Sequence, residues 1–576
     1  MSYKIDMFIH YNKIGEIGEI KMKIHFLGAA QVVTGSNMLL ETENRKILLD
    51  CGMFQGNRQL NRLNYKEFPF NPEEVEMLIL SHAHIDHSGR IPSLIKKGFK
   101  KKIYCTKATY DLCSIMLPDS GYVQETENEW ENRKRKRAGK PLREPLYTAA
   151  EATDSLKYFS PVLYNQKITI DDNLTIRFQD AGHILGSSIV EMWIKEKGET
   201  IKLVFTGDLG RKNKPIIRNP SIIEEADYLI MESTYGNRKH ASLDNEASQL
   251  IPIMIETKKK GGNVIIPSFA VQRAQDIIYE LNQYYDQIVS TKDNSYLDIP
   301  VYVDSPLTIS ATEIFRRNPD CFDKETLELI QNGYNPLDFK NLHFTRTAKE
   351  SKQLNISSES KVIISASGMC TAGRIKHHLK HNLWRKESSV VFVGYQAEGT
   401  LGRRIKDGAK KVKIFGEDVK VNAQIHVLEG FSGHADKDEL IEWLKNFKKK
   451  PQKVFLVHGE KDSLNALQDA IQDELGLDVT APELGDHFLI QGVAKTPSLE
   501  GKQEKGVRDS LLLEEETSYL KDLMESVLDQ LEEKTKQDLE EEDMHRLKNK
   551  ILELKKEGIE LSMMMTDKNK TNHQNK

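Results

Sequence analysis

The chain has 576 residues, 39% of them apolar, enough for more than one core, and a net charge of −4 from 82 Lys and Arg against 86 Asp and Glu. That balance lacks the basic excess of many nucleic-acid binders, so any polyanion must be held by local patches or by metal. Cys51, Cys105, Cys113, Cys321 and Cys370 stand singly, which argues against a thiolate zinc site or a disulfide framework. No apolar run reaches the length of a membrane span, and His10, Lys13 and Glu16 interrupt the stretch where a signal peptide would be apolar; a cytoplasmic protein is expected.

Residues 1–21 read as an added arm. Short apolar runs at 24–28, 37–40 and 46–50, separated by turn residues, predict a β-rich opening. Asp50-Cys51-Gly52 closes the third run, either as support for a nearby site or as a capped strand end. The apolar run 77–80 then delivers Ser81-His82-Ala83-His84-Ile85-Asp86-His87, four side chains with metal affinity at a strand's end. Three histidines and an aspartate in six residues cannot all face one four-coordinate ion, so two metals are expected. His82 and His84, two apart on extended chain, point the same way, while Asp86 and His87 follow a turn and can address a second ion.

Helices are predicted over 92–97 and 108–117, with a strand at 102–105 between them. From 121 to 143 the chain turns polar and carries the run Arg133-Lys134-Arg135-Lys136-Arg137, readable as nucleic-acid backbone contact or as a solvated helix face. The strand signal 175–178 leads to the glycine-flanked His183, and that at 202–206 leads to Gly207-Asp208, whose two carboxylate oxygens can bridge two cations.

H-x-H-x-D-H, then G-H, then G-D, each after an apolar strand, resembles the metallo-β-lactamase superfamily. The resemblance implies a four-layer αβ/βα sandwich in which His82, His84 and His183 hold one zinc, Asp86 and His87 the other, and Asp208 both. After Glu232, strand-then-helix units begin near residues 264, 301, 361 and 389 and predict a separate, parallel α/β lobe. Ser268 and Arg273 at one junction, and Ser367, Gly368 and Arg374 at another, are candidate RNA phosphate contacts, though ordinary capping accounts for such serines as well.

Glu232, P-S-F-A-x-x-R-A-Q, D-S-P-L, S-G-M and G-Y-Q-A-E-G-T-L-G-R-R resemble the β-CASP nucleases. Within them the chain is most similar to the RNA-processing branch, which contains the endonuclease subunit of the cleavage and polyadenylation specificity factor and its bacterial and archaeal relatives. That likeness makes Ser432-Gly433-His434-Ala435-Asp436 the second signature of the family, with Ser432 a further phosphate candidate, and His458 the remaining zinc ligand and the mark of RNA-directed members. It implies a two-zinc ribonuclease acting on single-stranded RNA through a metal-activated water, endonucleolytic and open to 5′–3′ exonuclease action. Its catalytic residues would be His434 as proton donor, Glu232 as the partner of His434, and Asp86. A metallo-hydrolase of thioesters or lactams would leave the inserted lobe and His434 without work, and a metal-free scaffold would not retain every ligand position. His377, His378 and His381 read as helix surface.

The expected division is therefore an arm (1–21), a metallo-β-lactamase domain in two pieces (22–236 and 431–495), an inserted β-CASP domain (237–430) and a helical extension (496–576). In the extension Leu520, Leu523, Val527 and Leu531, and then Met544, Leu547, Ile551 and Leu554, form stripes suited to a helical hairpin packing on the nuclease or on a second copy in a homodimer. Residues 566–576 are expected to be disordered.

Overall fold

The computed structural model describes residues 22–240, 246–289, 299–397, 399–428 and 432–490; the expected arm and the C-terminal stripes lie outside them. Strict alternation of buried and partly exposed residues over Met22–Phe26 and Leu174–Asp180 marks strands with one face on a core. Tyr228–Glu232 is buried at every position, as a parallel strand covered on both faces must be.

These strands make two seven-stranded sheets. One runs His487–Ile490, Met22–Phe26, Met38–Glu41, Lys46–Leu49, Val75–Ile79, Lys102–Thr106 and Phe159–Val162. The other runs Val479–Thr480, Lys453–Val457, Tyr228–Glu232, Glu199–Phe205, Ser188–Glu196, Leu174–Asp180 and Lys167–Asp171. Phe26, Leu40, Leu49 and Ile79 from the first meet Phe178, Met192, Phe205, Ile230 and Phe455 from the second in a fully buried layer. On the outer faces, Leu48, Leu78 and Ile103 pack on Leu94, Leu112 and Leu117, and Val204, Leu229 and Leu456 on Leu440, Leu444 and Leu467. This is the expected four-layer α/β sandwich, and the segment after residue 432 returns to complete both of its sheets.

The inserted lobe carries a six-stranded, wholly parallel sheet in the order Leu342–Phe344, Val301–Val303, Val362–Ser365, Val264–Pro267, Ser389–Phe392 and Gln424–Val427. It joins the sandwich through a bridge of Ile217 with Phe322, the Asp323 N–H on the Ile216 carbonyl (2.9 Å) and the Asn318 amide on Asp111 (2.9 Å). No helix among the described residues is long and apolar enough to cross a membrane.

Two expectations need correction. The helix anticipated over 108–117 spans Lys107–Arg137, running through Pro118. Proline forfeits one N–H and crowds the preceding turn, but Leu117 and Gly121 are buried on either side of it, so packing keeps the helix unbroken across it. His378, read as surface, is fully buried: its Nε2 donates to Asp304 (2.6 Å), which also accepts from Ser351, Thr345 and Arg374. His377 and His381 are exposed, as expected.

Candidate metal centre

The C-terminal ends of the central strands meet at one rim. Val75–Ile79 feeds an extended loop carrying His82 and His84, and the single turn Ile85–Ser88 then reverses direction and presents Asp86 and His87. Leu174–Asp180 leads to His183, Glu199–Phe205 to Asp208, and Lys453–Val457 to His458. Gly207 has φ +54°, and a Cβ there would lie 2.7 Å from the Ser81 Cβ, so only glycine lets the Asp208 loop approach the histidine loop. Asp50 and His458 adopt φ of +58° and +53° without being glycine, backbone strain of the kind held at sites that need a fixed side chain.

Atoms able to bind a metal ion converge in two sets. His82 Nε2 lies 3.1 Å from His84 Nδ1, which lies 3.3 Å from His183 Nε2. Asp208 Oδ2 is 3.5 Å from His82 and 3.6 Å from His183. In the second set His87 Nε2 is 3.2 Å from His458 Nε2, which is 3.5 Å from Asp86. Asp208 Oδ1, 3.4 Å from His87 Nε2, has no hydrogen-bond partner although it is buried. One carboxylate thus turns an oxygen to each set. Burial lowers the pKa of His82 and His183 well below the ordinary histidine value and that of His84 to about 4, so these rings offer lone pairs. Facing lone pairs some 3 Å apart, beside an orphaned buried carboxylate oxygen, suit a cation: the first set could hold one ion and the second another, with Asp208 shared.

The outer ring nitrogens are fixed by partners, which orients the inner ones. His87 Nδ1 lies 2.7 Å from Asp50, which also accepts from Ser36 (2.9 Å), the Ser81 hydroxyl (3.0 Å) and the Ser81 N–H (2.8 Å). Burial opposes charge on His87, but Asp208 and Asp50 together hold its pKa well above the ordinary value. His183 Nδ1 donates to the Gly433 carbonyl (3.2 Å), and His458 Nδ1 meets the Thr234 hydroxyl (3.0 Å). The sequence reading left Thr234 without a role and the position of Asp50 open; both sit on strand ends whose neighbours only folding chooses.

His434 stands beside the first set, its ring 4.4 Å from that of His183. Its Nδ1 lies 3.0 Å from Glu232 Oε1, and Glu232 is fully buried and fixed by the Leu209 (2.7 Å) and Thr234 (3.1 Å) N–H groups. Burial works against a charged His434, yet Glu232 raises its pKa above the usual value. His240, not anticipated, secures the loop by donating to the His434 carbonyl (2.9 Å).

The phosphate candidates divide. Arg273 is held by Asp276 (3.2 Å), but its buried Nε has no partner, and its Nη2 flanks Gly433; the buried Ser432 hydroxyl is also unpartnered. Ser268 donates to the Phe269 carbonyl, the Ser367 hydroxyl caps the Thr371 and Ala372 N–H groups, and Arg374 is spent on Asp304 and two carbonyls. A Cβ at Gly368 would sit 2.9 Å from the Phe269 ring. Across the lobes, the Tyr395 hydroxyl donates to Glu460, two residues after His458 (2.7 Å).

In comparison with known proteins, residues 39–231 match the metallo-beta-lactamase superfamily domain, 274–405 the Beta-Casp domain and 418–482 the Zn-dependent metallo-hydrolase RNA specificity domain. A ribonuclease of Thermus thermophilus is 36% identical over 446 residues, covering 77% of this chain and 95% of the relative. The transcription termination factor FttA of Methanocaldococcus jannaschii is 31% identical over 465 residues, 79% of this chain and 69% of the relative. That of Thermococcus kodakarensis is 31% identical over 483 residues, 80% and 70% respectively.

Proposed function

We propose that this chain, which belongs to the β-CASP family of the metallo-β-lactamase superfamily, is a cytoplasmic zinc-dependent ribonuclease holding two zinc ions and hydrolysing single-stranded RNA. The observation that carries this reading is the split of Asp208, one oxygen toward each ligand set, with the His434–Glu232 pair beside them. His82, His84 and His183 would hold one ion, Asp86, His87 and His458 the other, and Asp208 both. When bound, two such ions supply a nucleophilic water at neutral pH and neutralise charge building on the phosphoryl group.

The remaining work falls to the chain. Asp86, partly exposed at the rim, orients the attacking water. His434, protonated because Glu232 favours its charged form, keeps Nδ1 on Glu232 and turns Nε2 toward the substrate. From there it gives its proton to the departing 3′-oxygen, leaving 3′-hydroxyl and 5′-phosphate ends. Arg273 and Ser432, with free polar atoms at the junction of the lobes, bind the phosphate; Ser268, Ser367, Gly368 and Arg374 shape the loops around it. The domain division is proposed as 22–236 with 431–495 for the sandwich and 237–430 for the insertion.

The test pairs metal analysis with cleavage of one sequence as single-stranded RNA and as single-stranded DNA. Near two zinc ions per chain, with RNA cut well ahead of DNA, is expected. Full zinc in a His82→Ala, His84→Ala double variant, or equal rates on both polymers, overturns the reading.

A further inference from the structure

The helix Lys107–Arg137 begins on the metal rim, where the Thr106 and Thr109 hydroxyls donate to the Gly186 carbonyl three residues past His183. Every buried residue it contributes lies between Ala108 and Gly121; beyond Gly121 it projects as an arm of about 24 Å at 1.5 Å per residue. An arm that buries no complete residue gains little from packing, yet this one is built. Asn128 and Asn132 donate to the Arg143 carbonyl (2.8 and 2.7 Å), Arg143 N–H returns a bond to Asn132 (2.9 Å), and Arg135 donates to the Pro141 carbonyl (2.6 Å). The returning chain is thereby tied along the helix.

Between Glu129 and Arg143 the arm carries seven cations against two carboxylates in a chain of net charge −4. In Arg133–Arg137 one ion pair forms, Arg133 with Glu129 at 3.8 Å between two exposed groups. A cation or two at a helix C-terminus answers the macrodipole, which amounts to roughly half a charge and acts over the last turn; five in succession exceed that need and surround the helix. Trp130, 61% exposed, lies under the Lys134 ammonium (3.1 Å to the ring centre), and Tyr122 is 64% exposed. Glu127 is in electrostatic reach of Lys376 on the inserted lobe, so the arm runs past both lobes. Clustered cations with few carboxylate partners, beside exposed aromatic faces, are the composition that holds single-stranded nucleic acid, by phosphate neutralisation and base stacking.

We propose that this arm is a second RNA site outside the metal cleft, in which Arg133, Lys134, Arg135, Lys136 and Arg137 grip phosphates and Trp130 stacks a base of the strand extending from the cleft. The inference rests on the ribonuclease reading above. Its test compares the wild type with a variant carrying Gln at all five cations and with Trp130→Ala, on an unstructured RNA of several tens of nucleotides and on one of about six, the size of a single small binding site. Each lost phosphate contact removes about 0.7 from the slope of log affinity against log salt, so losing about three lowers it by roughly 2 and weakens long-RNA binding about 100-fold at 0.1 M salt. Cleavage of the short RNA stays at the wild-type rate, and Trp130→Ala weakens long-RNA binding with little change in slope. An unchanged slope on long RNA overturns the proposal and leaves the arm as a surface for another protein; equal losses on both substrates overturn it too, by placing the effect in the cleft. A wild type that cuts neither RNA is a failure of the ribonuclease reading instead.

Discussion

Asp50→Asn isolates the support of one metal set from its ligands. Asp50 is fully buried and makes four hydrogen bonds, of which the 2.7 Å contact to His87 Nδ1 keeps a ring proton on that outer nitrogen and so frees Nε2 to offer a lone pair to a cation. The isosteric amide keeps its oxygen on the Ser81 N–H and so turns its NH₂ toward His87. A donor there forces the His87 proton onto Nε2, the nitrogen that faces His458, and the ring no longer offers a lone pair. Losing a charge-assisted hydrogen bond is worth about 1.5–3 kcal/mol, which at about 1.4 kcal/mol per decade is a loss of roughly 10–100-fold in affinity for the second ion, the range found for such outer partners. Titration with a chromogenic chelator in competition should show one tight and one weakened zinc equivalent, with RNA cleavage falling in step and recovering at raised zinc. Two equivalents of wild-type affinity would show that His87 does not depend on Asp50 for its tautomer.

Three further outcomes are expected. His434→Ala should keep its zinc while losing roughly 10²–10⁴ in rate; on a substrate whose scissile 3′-oxygen is sulfur, which departs without a proton, the defect should largely vanish, and equal defects on both would make His434 a phosphate-positioning residue. Asp304→Ala leaves His378 and Arg374 without their carboxylate and should cost about 3–5 kcal/mol in denaturant unfolding, well beyond a surface substitution. Hydrogen bonds from His378, Ser351 and Thr345 outweigh burial and depress the Asp304 pKa, so its contribution is complete above the unfolded value of about 3.9 and drains away as pH falls toward the folded one; the acid limb of stability against pH should be shallower in Asp304→Asn, and an unchanged limb would show that Asp304 is not linked.

The convergence of the candidate ligands was legible because each is fixed by local chain: a buried run ends, glycine or a tight turn follows, and the side chain there can point only to the rim, as at His82, His84, His183 and Asp208. The α/β layering was legible for a similar reason, since burial on one face or two dictates whether a strand alternates or runs apolar. What reaches across the fold was not. Asp50 orients His87, Thr234 orients His458, and the Gly433 carbonyl orients His183 from 250 positions away, and no spacing along the chain encodes which strand ends become neighbours. Local sequence groups His378 with His377 and His381 as helix surface, but helix packing put a buried carboxylate over it, and Pro118 failed to end a helix because tertiary burial at Leu117 and Gly121 outweighs one missing hydrogen bond. The residue types at the centre follow from the sequence; the tautomer of each ring, and therefore which nitrogen is left to offer a lone pair to a cation, is decided by contacts that exist only after the sheets have closed.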